Sequence, residues 1–332
     1  MSSNILIIRE SQGTTKLQSL IDSIYEAIAT ENLKPGDTLP SVNELSRLSG
    51  FSRDTVVKAY NILKQQSVIE STPAKGFFLS SSSQRVFMLL DDFSAFKEQL
   101  YRAFRSNLPQ KYSVDLLFHH YNAKVFEQLV SQAIGRYSMY VIMNINNKKL
   151  HPVLLKIDPD RLLVLDMGNE TDTRNNYLLQ NFEVAVTNCL SQSLDLLLKY
   201  KEFVFIYSRQ KTPHPPETEA ALRHFCKVHG LGFHVMAEVH PECMIAGQVY
   251  FVITESDLVQ ALKGCREKGL SLGSELGIIA FNDTPMKEIA GNGITVISVD
   301  FNEMGRKAAA FVKNKQKVTE VLPSKLIVRG SL

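Results

Sequence analysis

The sequence predicts a small unit of two short helices and a β-hairpin, followed by a large α/β part with parallel sheets in two lobes. Three observations predict this. Residues 41–63 carry two capped amphipathic segments separated by a glycine; two β-prone runs meet through Thr72-Pro73-Ala74-Lys75-Gly76; and beyond residue 85 short apolar runs alternate with amphipathic helical segments. At 332 residues and 44% hydrophobic content, the chain can form two or three domains with sizeable cores and is neither collagen-like nor disordered.

Ser41 followed by Glu44 is a capping box, in which the Ser hydroxyl and Glu carboxylate satisfy orphan amides at a helix start. Val42, Leu45 and Leu48 give this helix an apolar stripe, and Ser49-Gly50-Phe51 ends it with a glycine suited to a sharp turn. Ser52 caps the second helix. There Val56, Ala59, Tyr60 and Leu63 recur at i, i+3, i+4 and i+7 and so face inward, leaving Arg53, Asp54, Thr55, Lys58 and Asn61 outside. Those side chains are of the kind that reach base edges and phosphates in a major groove. The runs 67–71 and 76–79 complete a wing. The order is that of a winged helix-turn-helix (α+β) spanning residues 1–80. A helical cap with a hairpin and no nucleic-acid role is the alternative, because amphipathic helix pairs are common. The succession of capping box, glycine turn, second cap and wing favours DNA.

Residues 15–80 closely resemble the GntR family of bacterial transcription regulators, through Leu33, Pro35-Gly36-Asp37, Leu39-Pro40-Ser41, Leu45, Ser52-Arg53, Thr55-Val56, Ala59-Tyr60, Leu63 and Gly76. With the outward residues of the second helix, the resemblance gives Ser41, Asn43, Ser52, Arg53, Asp54, Thr55, Lys58, Lys75 and Gly76 as candidate DNA-facing positions. Family members usually carry a basic residue at Asn43, often another at Val57, and a glycine at Ser67; these departures bear on which operator is read.

Charge fits a paired reader. Residues 1–80 hold eight basic and eight acidic side chains, but between 47 and 75 five positive residues face only Asp54 and Glu70. A local excess this small suits a homodimer that doubles its phosphate contacts on an inverted-repeat operator. No segment approaches membrane-spanning length and the first ten residues lack a basic lead, so a cytoplasmic location with no membrane role is expected. Cys189, Cys226, Cys243 and Cys265 form no C-x-x-C pair and read as reduced, mostly packed thiols.

The polar stretch 81–84 reads as a linker. After it come β-rich runs at 86–90, 114–118, 140–143, 162–165, 203–207, 233–236, 249–253, 276–280, 296–298 and 326–328. Helical candidates lie at 93–105, 125–136, 184–199, 217–229, 257–268 and 303–313. Alternation of this kind implies parallel sheets with right-handed crossovers, and continuous apolar strands imply sheets covered on both faces. About ten strands exceed one comfortable doubly wound sheet, so two lobes are expected.

The run from Thr254 to Ala309 resembles the effector domain of LacI/GalR repressors, which shares the two-lobed fold of periplasmic sugar-binding proteins. From 85 to 250 only the order of elements agrees. The resemblance implies a two-lobed, periplasmic-binding-protein-like small-molecule domain over 85–332, with lobe 1 at about 85–179 and 299–321 and lobe 2 at about 180–298 and 322–332. It implies effector contacts at Asp166 and Asn282 at strand ends and at Ser256. The family's cleft arginine aligns with Ala221, which brings forward Arg223 close by. Phe93 and Phe96 either stack on a sugar face or pack the first helix of the lobe.

Other residues carry less. His224, Cys226, His229, His234, His240 and Cys243 lack recognised ligand spacing, so no metal is expected. His119-His120-Tyr121 lie at a cleft edge or form a solvated loop end. Asp158, Asp160 and Glu170 would do acid–base work only if folding gathered them. No G-x-S-x-G elbow, P-loop or Gly-rich dinucleotide fingerprint occurs, so no cofactor is expected. The favoured reading is a non-enzymatic, ligand-responsive repressor of a carbohydrate-utilisation operon, whose effector is a sugar or sugar phosphate. The alternative is a pyridoxal-phosphate or sugar-modifying enzyme domain fused to a DNA-binding domain, for which 248 residues and the LacI-like tail are a poor match.

Overall fold

A computed structural model describes residues 8, 14–30, 32–65, 68–80, 84–145, 149–168, 174–208 and 214–332. The first unit comprises α1 (Lys16–Ala29), α2 (Val42–Ser49), α3 (Arg53–Gln65) and an antiparallel hairpin of β1 (Ile69–Thr72) and β2 (Gly76–Leu79). The capping box at Ser41 and Glu44 is formed, and Gly50 ends α2 with a left-handed φ of 70° that a side chain would resist. Leu20, Ile24, Leu45, Val56, Ala59 and Leu63 are fully buried together, and the Tyr60 hydroxyl donates to the Pro40 carbonyl at 2.6 Å. One position departs from the expected stripe: Leu48, in the last turn of α2, is 53% exposed. Ser67 and linker residues 81–83 lie outside the described residues.

Lobe 1 opens with β3 (Gln84–Leu90), α4 (Ala95–Ser106), β4 (Tyr112–Phe118), α5 (Ala123–Ala133), β5 (Met139–Met143), β6 (Leu162–Asp166) and β7 (Asn176–Gln180). The chain then builds lobe 2 from α6 (Phe182–Ser191), α7 (Leu194–Leu197), β8 (Glu202–Ile206), α8 (Glu217–His229), β9 (Gly232–Met236), β10 (Gln248–Val252), α9 (Glu255–Glu267), β11 (Gly277–Phe281), α10 (Pro285–Ile289) and β12 (Thr295–Ser298). It returns to lobe 1 for α11 (Phe301–Asn314) and β13 (Thr319–Leu322), and crosses back for β14 (Lys325–Ile327). The sheets run β13-β7-β6-β5-β3-β4 and β14-β12-β11-β10-β8-β9, all parallel except the β12–β14 edge.

Two features differ from the sequence reading. The helix expected over 184–199 breaks at Gln192–Ser193, where the Ser193 amide turns back to the Leu190 carbonyl, leaving α6 and the short α7. Strands β7 and β13 have no counterpart among the expected runs; they pair in parallel with each other near the edge of lobe 1.

Each lobe is a three-layer stack whose strands are apolar on both faces, as in GIIAF of β11, where every residue is buried. In lobe 1, α11 crosses α4 so closely that a Cβ on Gly305 would lie 2.4 Å from the Leu100 carbonyl oxygen. Within each parallel sheet the carboxyl ends of the strands lie on one side, where open α/β sheets collect ligands. The opposite end of the lobe 1 sheet meets the first unit. There Arg136 pairs with Asp22 at 2.6 Å, and Arg85 donates to the Tyr25 hydroxyl at 2.7 Å while pairing with Asp115 at 2.5 Å.

Candidate DNA-reading and effector sites

The outer face of α3 presents Arg53, Asp54 and Lys58 to solvent, with Thr55 half-buried. Ser52 begins the helix by accepting from the Thr55 amide at 3.2 Å. Lys58 pairs with Asp54 at 2.8 Å, but both side chains are well exposed, so the pair is weak and a phosphate can replace Asp54. Ser41 and Asn43 are exposed at the start of α2. In the wing, Gly76 adopts a φ of 70°, and Lys75 folds back, donating to the Gly36 carbonyl at 2.8 Å and lying 4.5 Å over Phe78. The wing lysine is thereby tethered to the Pro35-Gly36-Asp37 turn.

The carboxyl ends of the lobe 1 strands gather a charged cluster. Lys97, 3% exposed on α4, pairs with both Asp91 and Asp92, which follow β3 directly. The Tyr121 hydroxyl donates to Asp91 at 2.8 Å and accepts from Lys97 at 3.3 Å. Asp166, at the end of β6, accepts from Gln180 Nε2, while Gln180 Oε1 is buried with no hydrogen-bond partner among the described residues. Burial, and then the Asp91 carboxylate, push the Asp166 carboxyl up to about 6.

In lobe 2 the matching positions follow β10 and β11. Asn282, directly after β11, and Thr284 each keep a buried side-chain oxygen, Oδ1 and Oγ1 respectively, without a partner among the described residues. Lys287, 3% exposed, donates to the Phe281 and Asn282 carbonyls at 2.9 and 2.8 Å and pairs with Glu255 at 3.0 Å. Its burial lowers the ammonium's proton affinity, and Glu255 opposes that shift. Asp283 is gripped by both terminal nitrogens of Arg329, at 2.9 and 2.8 Å, which fixes the loop carrying Asn282. Ser256 is exposed in the first turn of α9, its Oγ 2.9 Å from Thr254 Oγ1.

Two expected effector residues are placed elsewhere. Arg223 pairs with Glu219 at 2.9 Å and lies 4.8 Å over Phe233, the second residue of β9. That is the amino end of the sheet, away from the strand end that carries Asn282, because six residues of α8 have carried the chain back before Arg223 is reached. Phe96 packs on Phe301 at 4.7 Å in the lobe 1 core, so the packing reading holds for it. Phe93, in contrast, is 68% exposed and meets Phe118 edge-on at 6.0 Å.

Asp91, Asp92, Lys97, Gln180, Thr284 and Lys287 were not singled out by sequence reasoning. A signal was present for the first two, since an acidic pair directly after an apolar strand marks a strand end rather than a surface helix. Lys97 and Lys287 carried none, because a helical lysine ordinarily reads as solvated. Among the described residues no group of His, Cys, Asp or Glu is arranged to hold a metal ion. Asp158 caps the short turn at Pro159–Arg161, and Glu170 lies outside the described residues. No helix of the described residues is long and apolar enough to cross a membrane.

Comparison with known proteins adds to this geometry. Residues 16–79 match the model for bacterial regulatory proteins of the gntR family, and residues 196–332 match the periplasmic binding protein-like domain. The transcriptional repressor YtrA of Bacillus subtilis (strain 168) is 31% identical over 88 residues, covering 26% of this chain and 67% of YtrA. The chain belongs to the GntR family. In this GntR-family regulator the second domain is also matched: the repressor MelR of the same organism is 24% identical over 226 residues, covering 60% of this chain and 61% of MelR. A LacI family transcriptional regulator from Lactobacillus casei, solved with bound glucose, superposes with a TM-score of 0.61 at 13% identity, over 75% of this chain and 100% of that one. At that identity the likeness shows the fold, a two-lobed α/β domain with parallel sheets. The chain spans between 14% and 67% of the length of the curated relatives it matches. Family and fold are those of a DNA-binding transcriptional regulator.

Proposed function

We propose that this GntR-family regulator is a cytoplasmic homodimer that represses a carbohydrate-utilisation operon from an inverted-repeat operator, and that a sugar or sugar phosphate binds between its lobes to change operator affinity. The observation that carries the reading is the pair of strand-end residues, Asp166 in lobe 1 and Asn282 in lobe 2, each beside a buried polar atom with no partner among the described residues. A polyhydroxylated ligand supplies the hydrogen bonds that Gln180 Oε1, Asn282 Oδ1 and Thr284 Oγ1 lack, and a buried polar group left unpaired otherwise costs about 1–3 kcal/mol. The named roles of YtrA and MelR as repressors, and the glucose in the Lactobacillus casei regulator, support the same reading.

The mechanism follows from β3. Its carboxyl end carries Asp91 into the lobe 1 cluster, and its amino end carries Arg85 to Tyr25 of the DNA-binding domain. Lobe closure that moves one end of so short a strand displaces the other, and with it the spacing of paired α3 helices. A ligand shifts that equilibrium by the difference in its affinity for the two arrangements. A thermal-shift screen of monosaccharides and their phosphates tests the reading, since a ligand bound only to the folded state raises its melting temperature. If no member raises it while another ligand class does, the carbohydrate assignment fails.

A further inference from the structure

We propose that the cavity between the winged helix and lobe 1 is a second small-molecule site, for an organic anion with an apolar body, whose occupancy holds the two domains docked. The cavity encloses about 470 Å³, within the range of small-molecule sites. Lys34, Arg85, Arg136, Arg161 and Lys315 line it, and among the described residues no carboxylate does. Asp115, Asp22 and Asp158, outside the lining, each pair with one of the three arginines, so among the described residues the two lysines stand as additional positive charge. Neither Lys34 nor Lys315 forms an ion pair among the described residues. Arg136 uses one terminal nitrogen on Asp22, and a guanidinium carries five N–H donors in a fork matched to carboxylate and phosphate.

The DNA-binding domain gives the cavity an apolar stretch of wall, Ile28, Leu33, Val68 and Leu79, while Ser80, Gln84 and Ser138 add polar groups at its edges. A hydrated inorganic ion gains nothing from such a wall, whereas an aryl or alkyl phosphate or carboxylate satisfies both halves. Because the wall comes from two domains, the complete site exists only while they are docked, so by mass action its ligand stabilises the docked arrangement. The cavity lies at the amino end of β3, roughly 23 Å by strand rise from the cluster at its carboxyl end, so this site and the proposed effector site are separate. The proposal does not depend on the effector's being a sugar.

The test is calorimetric titration of the full chain at low salt with three probes: phenyl phosphate, inorganic phosphate and benzyl alcohol. Phenyl phosphate is expected to bind once per chain and more tightly than either partial probe. A Lys34→Ala/Lys315→Asn variant, in which Asn tolerates the left-handed backbone at 315 (φ 52°), should weaken binding at least about tenfold while melting like the parent. Arg136→Ala should weaken it at least as much. Saturation should slow hydrogen exchange together at α1 and at residues 135–138. No binding at millimolar probe, inorganic phosphate binding equally well, unchanged affinity in both variants, or loss in Asp166→Ala instead would each overturn the proposal; slowed exchange in one domain alone would overturn the docking role.

Discussion

Asp166 and Asn282 share a left-handed backbone, with φ of 69° and 60°, at the carboxyl ends of β6 in lobe 1 and β11 in lobe 2. Outside glycine this conformation is uncommon and falls mostly to Asn and Asp, whose short polar side chains tolerate it. The two residues occupy corresponding places, each at the end of the third strand in the order of its six-stranded sheet. Backbone strain of this kind persists only where the surroundings hold it, and it gathers at binding sites.

Asp166 makes stability depend on pH. Its carboxyl titrates at about 6 in the folded protein against 3.8 ordinarily, so the folded state holds the proton more tightly. The associated stabilisation is fully present below pH 4 and is lost as pH rises through 6, a change of about 3 kcal/mol. Asp166→Asn should therefore be more stable than the parent at pH 7, with the difference vanishing below pH 4 in urea unfolding. A constant difference across that window would show that burial is not the cause.

Effector response should separate from folding. Asp166→Ala and Asn282→Ala should respond to effector more weakly by about 1–3 kcal/mol, read as a shift in the concentration that changes operator binding. Arg223→Ala should respond like the parent, since Arg223 sits at the far end of the sheet beside Phe233. If Arg223→Ala alone loses response, the proposed site lies on the wrong side of lobe 2.

On DNA, Arg53 in the first turn of α3 and Lys58 one turn later should behave differently. Arg53→Ala should cost about 1–3 kcal/mol and relax base preference, whereas Lys58→Ala should weaken all sequences alike and reduce the salt slope by about 1. Titrations against an operator and a scrambled duplex at several salt concentrations decide it. Equal loss of specificity in both variants would reverse the assignment.

Lys97 should be the most sensitive charge in lobe 1. Replacing it with Ala leaves Asp91, 2% exposed, without its cation, and removing one partner of a buried pair costs about 3–5 kcal/mol. Lys97→Met combined with Asp91→Asn should recover part of this loss. Chemical denaturation of the single and double variants measures it, and additive losses would mean that the two residues do not act as a pair.

The DNA-binding unit was legible because its signals are local: a Ser and a Glu three apart, a glycine between helices, and an apolar spacing that leaves Val56, Ala59, Tyr60 and Leu63 buried as expected. The same logic failed for Leu48, where helical position alone does not say whether a core extends that far. Strands β7 and β13 escaped because NYLLQ and TEVL mix polar with apolar residues, and each gains its place from a partner distant in the chain. The effector side was half legible. Asp166 and Asn282 came from resemblance, but Lys97 and Lys287 are buried only because other segments fold over them. Arg223 lies against Glu219 and Phe233 because nearness in sequence to an aligned position does not say how far along a helix a side chain has been carried.

The pairing of β13 with β7 ties residues 142 apart, as the Val318 amide bonded to the Asn176 side chain shows. During synthesis lobe 1 must therefore wait, one edge unpaired, while all of lobe 2 except β14 is made. Contacts that close so late make for slow folding, and an unfinished edge bearing Leu178 and Leu179 is a template on which another nascent chain can add a strand. The yield of soluble protein should thus depend on how quickly chains accumulate relative to how quickly each one finishes lobe 1.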